Sequence, residues 1–277
     1  MEDPESSGAA GPAALFPESQ LPADVHPPTR SREQQAFVWS AVHLNPSVTR
    51  LEDGDSIVTN VVPPPRSGAA SVVVHDKLYV FGGYGGGTGR LDDFYAFDFT
   101  TSSWEEVQVL SDEKPGCREN NGVVTSDSSI ILFGGYNGSQ WLNDLWKFDT
   151  GTKRWTCLEE SSADVLRGGG ATDDETNAAV GVPQGGDILS GLSRRNKPSC
   201  RFGYVSVVHD NKLVVWGGFD GQRWLNDMYV HDFSTSTWSE IQQLGTLPSV
   251  RSCPAWVADG KYLYIQGGYD GLERKEE

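Results

Sequence analysis

Nowhere in the 277 residues do 18 apolar residues run together, so the sequence predicts no membrane-spanning helix. Basic charge is also scarce: 22 Lys and Arg against 38 Asp and Glu leave a formal net charge of −16. A phosphate-binding surface needs clustered cations to release counterions, and no such cluster occurs, which argues against nucleic acid as a partner. Acidic membranes are disfavoured for the same reason, and no membrane partner is expected. The four cysteines, Cys117, Cys157, Cys200 and Cys253, include no C-x-x-C pair. That removes the zinc signature and points to reduced, structural thiols. Nucleophile and phosphate motifs are missing as well: there is no G-x-S-x-G, no Walker loop and no H-E-x-x-H. The first twenty residues lack a basic segment followed by an apolar one, so a secretory signal is not expected and the cytoplasm, or the nucleus, is the expected compartment.

What the chain has in quantity is turn chemistry. Its 32 Gly and 15 Pro suit a turn-rich β protein better than a helical one. It also repeats itself. "GGYNGSQWLNDLWKFD", from Gly134 to Asp149, returns as "GGFDGQRWLNDMYVHD" from Gly217 to Asp232. Four times an arginine stands sixteen residues before a double glycine: Arg66 before Gly82-Gly83, Arg118 before Gly134-Gly135, Arg201 before Gly217-Gly218, Arg251 before Gly267-Gly268. An aromatic follows each pair, at Tyr84, Tyr136, Phe219 and Tyr269. In the first three units an aspartate follows (Asp93, Asp144, Asp227), then another five residues on (Asp98, Asp149, Asp232), then a tryptophan six beyond that (Trp104, Trp155, Trp238). Short β-like runs such as "ASVVV", "LYVF" and "FYAFD" lie between the markers, separated by turns, and give four strands per unit of about 50 residues. The runs "SVVV" and "IILF" are apolar throughout, as suits sheets covered on both faces.

The double glycine, the aromatic after it and the tryptophan some twenty residues on resemble the kelch motif, over about residues 66 to 271. That resemblance implies an all-β fold, a kelch-type β-propeller of radially stacked four-stranded blades. A single blade cannot bury its own faces, so neighbours must stack. The propeller is expected to be incomplete, with about three full blades (66–110, 118–160, 201–244) and partial blades at both ends. The last unit breaks off at "GGYDGLERKEE" without its third and fourth strands, and "FVWSAVHL" around Trp39 reads as an isolated fourth strand. The chain is therefore expected to be either a truncated product or part of a longer one, with an unpaired sheet edge near 262–268. Residues 1–34, rich in Pro, Ala, Ser and Glu, read as a disordered tail ahead of a propeller segment at 35–277. Between Trp155 and Arg201 the linker is far longer than its counterparts, and about 161–198 reads as a flexible insertion on a propeller face.

Function is sought on that same face, formed by the loops between second and third strands. Kelch proteins commonly bind partners there, so the resemblance implies a non-enzymatic module that binds a protein or peptide. It also implies a place in a ubiquitin-ligase or signalling adaptor. Trp141, Trp224, Arg90, Arg223 and Arg274 fall in those loops and belong to the residue types enriched at binding hot spots. The tryptophans have a structural alternative, packing on the adjoining blade. Arg66, Arg118, Arg201 and Arg251 head each first strand and are candidates to read an acidic peptide bidentately, or else to tie down a neighbouring carbonyl or aspartate. No metal or cofactor is expected. An enzymatic alternative uses the central channel. Plant specifier-type kelch proteins are thought to hold iron with Glu, Asp and His at four-residue steps, and Asp227 and His231 match, but Arg223 stands where the Glu belongs.

Overall fold

The computed structural model describes residues 13–14, 41–50, 56–59, 61–161 and 197–276, with the backbone alone at 13–14, 47–50 and 56–59. The expected tail at 1–34 (apart from Ala13–Ala14), the strand around Trp39 and most of the insertion, 162–196, lie outside the described residues.

Ahead of the repeats come β1 (Ala13–Ala14) and a hairpin of β2 (Ser47–Arg50) and β3 (Ser56–Thr59). The first blade is β4 (Ala70–Val74), β5 (Lys77–Tyr84), β6 (Arg90–Asp98) and β7 (Ser103–Glu106). The second is β8 (Gly122–Ser126), β9 (Ser129–Tyr136), β10 (Trp141–Asp149) and β11 (Arg154–Glu159). The third is β12 (Val205–His209), β13 (Lys212–Phe219), β14 (Trp224–Asp232) and β15 (Thr237–Glu240). Each is a four-stranded antiparallel meander. A fourth unit has only β16 (Ala255–Ala258) and β17 (Tyr262–Gln266), and β1 pairs with the outer edge of β17 through Ala13–Leu263 and Ala14–Tyr262. The described chain is thus all-β, three complete kelch-type blades and a partial one, in an arc that does not close.

Turn chemistry sets the strand lengths. Asp98 accepts at Oδ1 from the amides of Thr100 (2.8 Å) and Thr101 (3.1 Å), Asp149 from Thr152 (2.7 Å), and Asp232 from Ser234 (2.9 Å). Each aspartate closes the turn between third and fourth strands in the way its side chain favours.

Packing between blades explains the tryptophans. Trp155, 5.0 Å from Phe148 of its own blade, also lies 5.8 Å from Phe81 and 5.6 Å from Phe94 of the first blade, and Trp238 lies 5.2 Å from Phe133 of the second. Each fourth-strand Trp packs onto the preceding blade. Among the described residues, Trp104 has no full blade before it; it packs on Phe97 of its own, at 5.2 Å. The two-sided burial expected of the apolar runs differs between blades. In the second blade Ile130 to Phe133 are all buried, whereas Val73 in the first strand of the first blade remains 51% exposed.

The junctions are stitched by backbone hydrogen bonds in two places. Near the inner strands, Asn120 N–H donates to Gly68 O (2.8 Å), Gly203 N–H to Asn120 O (3.0 Å), and Cys253 N–H to Gly203 O. These four residues each stand two places after a repeating arginine, and all have positive φ. Between Trp155 and the first blade, truncation removes a large buried ring. Trp155→Ala should destabilise the chain by about 3–5 kcal/mol, read as a lowered urea midpoint, while Trp104→Ala should cost markedly less.

Candidate functional site

The second stitch passes through the repeating arginines. Arg118 accepts at its carbonyl from Gly83 N–H (2.8 Å) and donates its own N–H to Leu91 O (3.0 Å), both in the first blade. Its guanidinium turns the other way, to Gly134 O (3.1 Å) and both oxygens of Asp144 (2.7 and 2.8 Å) in the second. Arg201 repeats this between the second and third blades, with backbone bonds to Gly135 and Leu142 and side-chain bonds to Gly217 O and Asp227. At the third junction the Arg251 backbone bonds Gly218 and Leu225, and its side chain reaches Gly267 O (3.0 Å). Arg66 clasps Gly82 O and Asp93 within the first blade. The first glycine of each of the first three pairs must admit this approach: a Cβ on Gly134 would lie 2.8 Å from Leu142 O and 3.0 Å from Arg201 O, at a φ of +53°.

Arg118, Arg201 and Arg251 are no more than 2% exposed. As a partner-facing ring of free donors, the role open to Arg66, Arg118, Arg201 and Arg251 on sequence grounds, they fail on geometry. Their side chains are covered and aimed at acceptors inside the protein, which is the tie to a carbonyl or aspartate.

Trp141 and Trp224 are not in loops but are the first residues of β10 and β14, paired across the strands with Tyr136 and Phe219. Arg90 holds the same position in β6, opposite Tyr84, and Arg274 bridges to Tyr269. Each of the first three supports the loop of the next blade. Gly138 sits over Arg90, Gly221 over the Trp141 ring and Gly271 over the Trp224 ring. The aromatics that follow the double glycines join this stack. The Arg90 guanidinium lies between the Tyr84 ring (4.9 Å) and the Tyr136 ring (5.0 Å) and is anchored by Glu119 at 2.7 Å. From there the contacts run Tyr136–Trp141 (4.9 Å), Trp141–Phe219 (6.0 Å), Phe219–Trp224 (4.5 Å) and Trp224–Tyr269 (5.6 Å). A cation–aromatic ladder thus crosses all four blades on one face, with Tyr84 and Tyr269 at its ends, 38% and 42% exposed. Trp141 and Trp224 pack on the adjoining blade, the structural alternative for these residues.

Sequence reading missed the ladder, although its turn signal was visible. Asn137-Gly138, Asp220-Gly221 and Asp270-Gly271 are turn dipeptides, and each Asn or Asp caps two following amides: Asn137 those of Ser139 and Gln140, Asp220 those of Gln222 and Arg223, Asp270 those of Leu272 and Glu273. These turns hold Arg223, whose side chain is 78% exposed beside Asp220, and Arg274, also exposed, above the stack.

The neck of the insertion is clasped as well. Lys197 bonds Glu160 O (2.7 Å) and pairs with Glu159 (3.2 Å), while Asn143 donates to Pro198 O (2.9 Å). Across the blade junction, His231, 1% exposed against the Trp238 ring, stands 3.3 Å from Glu159. Burial works to raise the Glu159 carboxyl, but the His231 imidazole and the Lys197 ammonium outweigh it and hold it below its ordinary value. Of the iron pattern, Arg223 is on the surface, Asp227 is taken by Arg201, and His231 faces Glu159, so the three side chains do not converge. Among the described residues no cluster of His, Cys, Asp and Glu has the geometry of a metal site, and no helix is long and apolar enough to cross a membrane.

Residues 36–172 and 189–276 match the family model described as the KLHDC2/KLHL20/DRC7 Kelch-repeats domain. The chain belongs to the kelch-repeat family. Among its relatives is the leucine-zipper-like transcriptional regulator 1 homolog of Drosophila melanogaster, 32% identical over 74% of this chain and 19% of that protein. The N-(sulfonatooxy)prop-2-enimidothioate sulfolyase of Thlaspi arvense is 27% identical over 78% of this chain and 73% of the enzyme. Host cell factor 1 of Homo sapiens is 26% identical over 75% of this chain and 12% of its own length. The chain thus spans a small fraction of the leucine-zipper-like regulator homolog and of host cell factor 1, and most of the sulfolyase.

Two outcomes follow for this kelch chain. Removing one partner of a buried ion pair leaves the other unpaired, so Arg118→Met should cost about 3–5 kcal/mol in urea unfolding, more than the double change Arg118→Met/Asp144→Leu. Since the Glu159 value is lowered in the folded state, its contribution is complete above the ordinary glutamate value and lost as pH falls through the folded one. The stability gap between wild type and Glu159→Gln should therefore shrink on acidification, in urea titrations at a series of pH values.

Proposed function

We propose that this chain is a protein-binding module that grips a protein or peptide through the face carrying the ladder, with Arg90, Trp141, Arg223, Trp224 and Arg274 at the contact. The observation that carries this is the ladder itself. It holds large aromatic and guanidinium groups rigid at the surface, and rigid Trp, Tyr and Arg side chains lose little entropy on binding. Arg66, Arg118, Arg201 and Arg251 serve this face as its frame. The proposed role is that of a recognition part within a larger adaptor, of the ubiquitin-ligase or signalling kind; the chain spans 19% of the leucine-zipper-like transcriptional regulator 1 homolog.

The sulfolyase relative, matched over 73% of its length, supports a second reading, a metal-dependent or small-molecule activity in the central channel. Here Arg223, Asp227 and His231 do not assemble a metal site, so that activity would need other ligands. Stoichiometric iron bound on titration, followed by metal analysis, would favour this second reading.

Binding on the ladder face is tested by affinity capture from a cell lysate, with partners identified by mass spectrometry. The surface variant Arg223→Glu/Arg274→Glu/Tyr84→Ala should deplete the captured partners by about tenfold or more, as loss of hot-spot residues does. Lys153→Glu, in a turn of the opposite face, should leave them unchanged. An unaltered set with the triple variant would refute the face.

A further inference from the structure

A cavity of about 360 Å³ opens between the first and second blades, beside the start of β6 and the linker that leaves β7. We propose that it is a pocket for a basic side chain, lysine or arginine, of a bound peptide. The inference rests on the binding function proposed above and adds the chemistry of the partner.

One wall is aromatic. Phe81, Phe94 and Trp155 meet there at ring separations of 5.6 to 5.9 Å. Such a wall suits the alkyl stem of a long basic side chain and the positive head above a ring face. The rim is acidic, with Asp92, Asp93 and Glu106 on it against the single cation Lys114. Asp93 is neutralised by Arg66, and Asp92 by Lys114 at 3.1 Å. That leaves Glu106, exposed at the mouth, with no cation in ion-pair contact among the described residues. A net charge of −16 draws cationic segments toward the protein at long range, and the unpaired carboxylate over aromatic rings gives them a place to stop. An acidic or purely apolar side chain would leave Glu106 uncompensated.

The probe is a fluorescein-labelled hexa-arginine peptide, followed by fluorescence anisotropy on the full chain at physiological salt, with hexa-glutamate as its counterpart. Hexa-arginine should bind saturably at one site and hexa-glutamate should not. Gln108→Trp, which fills the mouth from an exposed position, should weaken binding by about tenfold or more, as blocking a hot-spot pocket does. The isosteric Glu106→Gln should weaken it about threefold, the value of one exposed ion pair. Hexa-arginine binding that both variants leave at the wild-type level is diffuse charge attraction and overturns the pocket, as does equal binding of the two peptides or no binding by either. The two readings fail separately. Partner capture that depends on the ladder, with no hexa-arginine site, removes the pocket alone. A hexa-arginine site without ladder-dependent capture removes the face and leaves the pocket.

Discussion

The arginine that begins each repeat is the constraint on which the rest of the chain depends. At Arg118 and Arg201 the backbone is held by the double glycine and third strand of the blade before, and the guanidinium by the double glycine and aspartate of the arginine's own blade. One residue therefore belongs to two sheets at once. A buried ion pair adds little net stability, because desolvation offsets most of the attraction. What it does supply is register. Five directed donors on a planar group tolerate one arrangement of carbonyl and carboxylate, and that arrangement sets the angle at which neighbouring blades meet.

The blades at the two ends of the arc act as internal controls for this account. Identical sequence markers have different surroundings there, in step with the number of neighbouring blades among the described residues. A Cβ on Gly134 or Gly217 would press on the carbonyl of the next blade's arginine, whereas at Gly267 the nearest atom is Lys275 O at 3.6 Å. Trp155 and Trp238 reach into a preceding blade, and Trp104 folds against its own. β9 is buried almost end to end, while its counterpart β5 is half-buried over its first four residues. The motif thus encodes half of each junction, and burial is complete only where the other half is present.

This explains which parts of the molecule could be read in advance. Four-stranded units, their order and the turn-capping role of Asp98, Asp149 and Asp232 were legible, because backbone constraints leave fixed spacings in a sequence. The direction of a side chain leaves no such trace. Sixteen residues between Arg118 and Gly134 say that the two are coupled, yet an inward and an outward guanidinium have the same spacing. Trp141 and Trp224 looked like loop residues because the Asn137-Gly138 and Asp220-Gly221 turns are tight, so the third strand starts sooner than the polar stretch suggests. The ladder was hidden for a further reason. Arg90 occupies in the first blade the position that Trp141 and Trp224 hold in the next two, and a cation and an indole are alike only in that both stack on a tyrosine or phenylalanine ring.

That exchange bears on what the face can do. An indole in the stack is neutral and brings its own apolar edge. A guanidinium brings a charge, and Glu119 offsets it within the same stack. Along this face the cations are largely matched as they occur: Arg90 with Glu119, Arg223 with Asp220, Lys275 with Asp270 and Glu273. Local pairing leaves little net field from the ladder itself, so long-range steering must come from the acidity of the whole chain while the ladder supplies shape and contact area. Attraction and recognition are then carried by different residues. In the proposed binding mode, a partner would be drawn in by charge that lies mostly elsewhere and held by rings whose positions the blade junctions have already set.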